Sequence, residues 1–170
     1  VKLLFAFLLV GTLSGCSIFE KEKTSDNIYL IPEGFEGSIT VFYDVPNEPK
    51  LKKEGKYTVV PVTELALEAL KDTDIYTYGA SFTSTPNVSY GVVTDKYYYV
   101  DENGKRTPID KQCVHQSGNG SFSGASEIEI IYSELQITKT HCNQSFWTDG
   151  IERYHSQQSE VLGFWMNKYD

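Results

Sequence analysis

Two short segments of this chain set a cysteine beside a histidine, Cys113-Val114-His115 and His141-Cys142. Two thiolates and two imidazoles are a donor set that a tetrahedral zinc ion accepts. Neither spacing is the Cys-x2-Cys common in zinc sites, however, and adjacent residues on a strand point to opposite faces. In an oxidising compartment the simpler chemistry for two cysteines is a disulfide. Here it would close a loop of about 30 residues and stabilise by roughly 3 kcal/mol on the chain-entropy model. Reduced thiols are the third state open to the pair. The primary expectation is a Cys113 to Cys142 bridge, and the alternative is a metal site made of Cys113, His115, His141 and Cys142.

The third cysteine speaks to the compartment. Lys2 is a minimal positive start, Leu3 to Val10 is an apolar run, and Leu13-Ser14-Gly15-Cys16 ends in small residues and a cysteine. A membrane-spanning helix needs about 20 apolar residues, so this run is too short to cross and suits an export signal. The quartet Leu13-Ser14-Gly15-Cys16 resembles the lipobox of bacterial lipoproteins, in which a diacylglyceryl group is attached to the cysteine before cleavage in front of it. Two acyl chains suffice for stable anchoring because each buried CH2 contributes about 0.8 kcal/mol. The expected organisation is therefore a signal peptide over 1–15, a lipidated Cys16 with a polar tether to residue 27, and one β-rich domain over 28–170 outside the cytoplasm.

Composition narrows the partners. The formal charge of −8 argues against nucleic acid, whose phosphates require a basic patch. It also argues against adhesion to acidic lipid headgroups, so the membrane is reached through the lipid on Cys16. No Gly-x-Ser-x-Gly elbow and no Walker pattern occur, although the run Ser117-Gly118-Asn119-Gly120-Ser121-Phe122-Ser123-Gly124 is rich in serine and glycine and reads as a connecting loop. Glu127 and Glu129 fall on one strand face and first suggest a solvated surface; a glycosidase would need an opposed carboxylate across a cleft. Asp101-Glu102-Asn103-Gly104 lacks the spaced oxygens of an EF-hand and is better explained as a turn. Tyr97-Tyr98-Tyr99, Phe146-Trp147 and Phe164-Trp165 can stack on a sugar or a protein wherever they are exposed.

The elements that must position these groups are mostly strands. Twelve Tyr, nine Phe and two Trp against a single Met fit the half-buried surface of a sheet. Strands are expected at Ile28 to Ile31, Ser38 to Val45 (with Ile39, Val41 and Tyr43 on its one buried face), and Tyr57 to Val62, where Pro61 suggests an edge or bulge. Others are expected at Ile75 to Tyr78, Tyr90 to Val93, Lys96 to Val100, Glu127 to Ile131 and Leu135 to Thr138, with a hairpin over Asp101 to Gly104 returning through Ile109. Thr63 to Lys71 combines helix-forming composition with strand-like alternation of Leu65 and Leu67, and both readings stay open. Asp149 is placed to N-cap a short helix through Arg153, Tyr154 and His155. The expected fold is mainly β, an antiparallel β-sandwich-like domain with at most one or two short helices.

The run Ile31-Pro32-Glu33-Gly34-Phe35-Glu36-Gly37-Ser38-Ile39-Thr40-Val41, then Val45-Pro46 and Tyr98-Tyr99-Val100-Asp101-Glu102-Asn103-Gly104-Lys105-Arg106, resembles an uncharacterised family of small exported lipoproteins with a domain of unknown function from Bacillus-type Gram-positive bacteria. The resemblance covers most of residues 28–109 and weakens beyond, and Ser38 stands where relatives often place a large aromatic residue. It implies an extracytoplasmic location and a β-rich fold, and carries no catalytic residues. The functional expectation is a non-enzymatic binding or structural module of the cell envelope, without cofactor, that takes an unknown protein or glycan ligand. The alternatives are the metal site above and a cell-envelope hydrolase.

Overall fold

The computed structural model describes residues 23–86, 91–123 and 129–169. Ten strands form two five-stranded sheets. The first sheet contains β1 (Asn27–Pro32), β3 (Lys52–Glu54), β4 (Tyr57–Pro61), β7 (Lys96–Val100) and β8 (Arg106–Pro108) in the order β3-β4-β1-β7-β8. The second contains β2 (Gly37–Tyr43), β5 (Thr63–Ala66), β6 (Thr77–Phe82), β9 (Val114–Ser123) and β10 (Glu129–Ile137) in the order β5-β6-β2-β10-β9. Helices α1 (Gln144–Asp149) and α2 (Glu152–Tyr169) follow.

The mainly β, sandwich-like expectation holds, while the pairing is mixed rather than antiparallel throughout. Strands consecutive within a sheet and joined as hairpins, such as β3-β4 and β7-β8, are antiparallel. Parallel ladders join strands distant in sequence: β1 with β4, β1 with β7, and β2 with β6. The chain crosses from one sheet to the other after β1 and after β4, and such crossovers let strands of one sheet run in the same direction.

Between the sheets lie Tyr29, Ile31, Val60 and Tyr97 from the first, Ile39, Val41, Leu135 and Ile137 from the second, and Val62 from the link between β4 and β5. A second core fills the other face of the second sheet, where Phe42, Tyr78, Ala80 and Ile130 meet Val161 and Trp165 of α2. Strand β2 is therefore buried on both faces, not on one. Helix α2 accounts for the difference: its inward residues Tyr154, Gln157, Gln158, Val161 and Trp165 recur at helical spacing and cover the face that carries Ser38, Thr40 and Phe42. At 18 residues it is also longer than the short helix expected.

Other departures have local causes. Thr63 to Lys71 is both readings in succession, strand β5 and then a 3-10 turn over Glu68–Leu70. Pro61 lies in an interior strand, but beyond the end of β3, so the neighbour on that side needs no N–H from it. The Ser/Gly run is not a loop: Ser117 to Ser123 belong to edge strand β9, where Tyr132 lies over Gly120 and its hydroxyl would be 2.6 Å from a Cβ there, its ring 2.8 Å. Thr77, not Ile75, opens β6, and β10 is one continuous strand; Glu127 and residues 124–126 lie outside the described residues. Val92 makes only an isolated bridge with Thr24, and Tyr90 lies outside the described residues. Asp149 ends α1 instead of capping the helix through Arg153 to His155, which is α2; α1 has its own cap in Asn143, which accepts from the Phe146 N–H at 2.9 Å.

The fold also starts earlier than the tether boundary at residue 27. Ser25 and Asn27 are buried because Asp95 accepts from the Ser25 hydroxyl at 2.6 Å and from the Asn27 N–H at 2.7 Å. Lys56, helped by the Thr24 and Thr94 hydroxyls, holds the Asp26 carboxyl well below the usual carboxylate range.

Candidate functional site

Cys16 lies outside the described residues. Cys113 and Cys142 are joined by a disulfide with their Cα atoms 4.2 Å apart. That bond removes the two thiolates a zinc site would need, and the imidazoles take other partners. His115 is buried, with Nδ1 3.3 Å from the Trp147 carbonyl and its ring edge-on to Phe146 and His155. His141 Nδ1 lies 2.8 Å from the Thr140 hydroxyl on the surface. Among the described residues no three His, Cys, Asp or Glu side chains are grouped to hold a metal ion. Asp101 serves its turn, with Oδ1 accepting from the N–H groups of Asn103 and Lys105.

Beneath α2 the second sheet presents polar groups. Gln157 Oε1 accepts from the Ser38 N–H at 3.0 Å and the Ser38 hydroxyl at 2.6 Å, while its Nε2 donates to the carbonyls of Thr77 and Ile75. These contacts explain why serine suits position 38, since a large aromatic side chain would displace Gln157. Next to them, Glu134 Oε1 and Thr40 Oγ1 are buried without a hydrogen-bond partner on paired positions of β10 and β2. Burial, opposed in part by His155, raises the Glu134 carboxyl from 4.5 to about 7.

The raised value means that ionised Glu134 is disfavoured in the fold. Its neutral form carries no penalty below the unfolded value of 4.5, and stability is lost as pH rises through about 7. Glu134→Gln should therefore match the native chain in thermal unfolding at about pH 4. It should be the more stable by on the order of 1 to 2 kcal/mol at about pH 8, a figure reduced from the full shift because the side chain is partly solvated. Parallel melting curves at the two pH values would refute a buried carboxyl there.

A mixed polar and aromatic site lies where the two sheets face each other, between the interior strands β1 and β7 of the first sheet and β9 and β10 of the second. One hollow of about 190 Å³ is lined by Val93, Tyr97, Lys111, Val114, Gln116 and Trp147. A second, of about 110 Å³, shares Val93 and Gln116 and reaches Asp95, Asn119 and Ser133. The stacked rings of Tyr29 and Tyr97, 5.2 Å apart, stiffen the floor, and Gln116 Nε2 donates to the Tyr97 hydroxyl at 2.6 Å. Burial pushes both phenols upward, so they stay neutral. Trp147 stands on the rim, 58% exposed, presented by α1.

Sequence reasoning singled out Tyr97 and Trp147 as stacking candidates, and the structure brings them to one hollow. Tyr98 and Tyr99 do not line either hollow, and Tyr99 donates to the Phe35 carbonyl at 3.0 Å. Phe146 and Trp165 are core, and Phe164 borders a separate groove against the 3-10 turn. The polar members Asp95, Gln116, Asn119 and Ser133 were not anticipated. No motif joins them, because their proximity depends on how the two sheets face each other.

A crystal structure named "Putative Lipoprotein from Bacillus anthracis" is similar to this chain, with 34% identity, a TM-score of 0.70, and coverage of 86% of this chain and 96% of that one. No curated protein matches. The model of the family of unknown function DUF6843 matches residues 23–146, most of the chain and all ten described strands. The chain belongs to the DUF6843 family.

Proposed function

We propose that this protein is a membrane-anchored lipoprotein of the extracytoplasmic face, held by a diacylglyceryl group on Cys16, and that its β domain is a non-enzymatic binding module using the inter-sheet hollows. The observation that carries the anchor is the order of charged residue, apolar run and Leu13-Ser14-Gly15-Cys16 quartet. The likeness to the Bacillus anthracis structure supports it. Among the described residues no helix is long and apolar enough to cross a membrane.

The binding role is supported by an exposed tryptophan presented by α1 at one hollow and buried polar groups from the sheets at the hollow adjoining it. The described histidines give a hydrolase reading little support: His115 Nδ1 faces a backbone carbonyl, and His155 lies between the Gln136 amide and the Asp149 carbonyl. Metabolic labelling with radioactive palmitate should tag the chain in a Gram-positive host, and Cys16→Ala should abolish the label. Undiminished labelling of that variant would remove the anchor from the reading.

A further inference from the structure

The two adjoining hollows have a composition that selects among ligand classes. Their described lining carries one cation, Lys111, and one carboxylate, Asp95, which favours a ligand without large net charge. The volumes together reach only the lower bound of small-molecule sites, roughly 300 Å³, so the ligand is small or enters by one unit of a longer chain. Trp147 offers an exposed ring that the core does not use.

Polar capacity remains available in the second hollow, which adjoins the one bordered by Trp147 through Val93 and Gln116. Asp95 Oδ1 is satisfied by Ser25 and Asn27, but Oδ2 has only the Asn27 amide at the long distance of 3.5 Å. Ser133 Oγ is buried at the second hollow, makes no ordinary hydrogen bond and faces the Tyr29 hydroxyl. The exposed amides of Gln116 and Asn119 supply both donors and acceptors. An aromatic face with adjoining hydroxyl, amide and carboxylate groups matches a pyranose, which has an apolar C–H face and a rim of hydroxyls that both donate and accept.

We infer that the hollows bordered by Trp147, Tyr97, Gln116, Asp95 and Ser133 form a saccharide-binding site that takes a neutral sugar unit, with one ring face on Trp147 and hydroxyls directed to the polar groups. The inference rests on the binding-module reading above and specifies its ligand. Trp147 supplies contact area and Gln116 orientation, while Asp95 and Ser133 are buried polar groups of the second hollow.

The test uses the full chain in a detergent without a sugar headgroup and three probes: the trisaccharide of N-acetylglucosamine, cellotriose and maltotriose. Saturation-transfer NMR should show transfer from aromatic protons to ring C–H protons of at least one probe. Trp147→Ala should weaken that binding about tenfold, Trp147→Tyr should retain most of it, and Gln116→Ala should weaken it about fivefold. Both side chains are exposed, so unfolding of the variants is not expected and is checked by their unchanged thermal transitions. Absence of transfer to all three probes at millimolar concentration overturns the proposal, as does unchanged affinity in both alanine variants. Palmitate labelling is independent of these titrations. Failed sugar binding with labelling intact would therefore remove the ligand class and leave the anchored protein standing.

Discussion

Gly150→Ala should destabilise the protein by about 3 to 5 kcal/mol, one of the largest effects expected of any single methyl group added to this chain. Gly150 joins α1 to α2 with φ 69° and ψ −155°, a region essentially confined to glycine. A Cβ there would lie 2.5 Å from the His115 ring and 2.6 Å from Gln136 Oε1. Neither neighbour can yield cheaply. Gln136 is fully buried and its Oε1 accepts the Ile151 N–H at 2.8 Å, so moving it uncaps the start of α2. His115 is buried against Phe146. Urea unfolding should show a lower midpoint at unchanged slope. A loss below about 1 kcal/mol would mean that the junction relaxes and that the two helices are not held by this contact. Because α1 carries Trp147, the same substitution should also disturb the rim of the inter-sheet hollow.

Replacing Cys113 and Cys142 together by alanine should cost about 3 to 4 kcal/mol, corresponding to a melting temperature roughly 6 to 14 °C lower. The bridge closes a sequence separation of 29 residues. It sits just beyond the last β9-β10 pair, Val114 with Ile137, where the Thr138 N–H already donates to the Cys113 carbonyl at 3.0 Å. The folded geometry is thus largely set by the ladder, and the bridge acts chiefly by restricting the unfolded chain. The check is denaturation of the oxidised native chain against the double variant, with a thiol assay before unfolding. If Cys113 and Cys142 react freely without denaturant in material purified under oxidising conditions, the bridge is absent and the predicted difference should vanish.

Both effects converge on one corner of the molecule, where β9, β10 and the two helices meet. The disulfide secures the segment leading into α1, and Gly150 sets the angle at which α2 leaves it. That angle delivers Gln157, Val161 and Trp165 to the second sheet; the Trp165 indole N–H donates to the Tyr78 hydroxyl at 2.9 Å, and its ring packs on Phe82 and Phe42. The helices therefore complete the burial of β2 and also present Trp147 to the cleft.

Features encoded within a few neighbouring residues were legible in the sequence. Alternation at Ile39, Val41 and Tyr43 marked a strand, and Asn103-Gly104 marked the β7-β8 turn. Each depends on local sterics or on period-two patterning, which act over the distance a short segment spans. The lipobox-like quartet at Cys16 is likewise a local signal, read as an expectation about export. The tertiary structure alone decided the rest. The parallel ladders of β1 with β4 and β7 join strands far apart in sequence, and no local pattern records which distant strand will lie alongside. The second buried face of β2 depends on a helix more than 100 positions later, so Ser38 and Thr40 look solvated until Gln157 and its neighbours cover them. The Gly/Ser run of β9 looked like a loop because its stabilising partner, the Tyr132 ring, belongs to another strand. Asp95, Gln116 and Ser133 come to line one hollow only because two sheets face each other, and that proximity results from packing free energy summed over both cores rather than from any spacing along the chain.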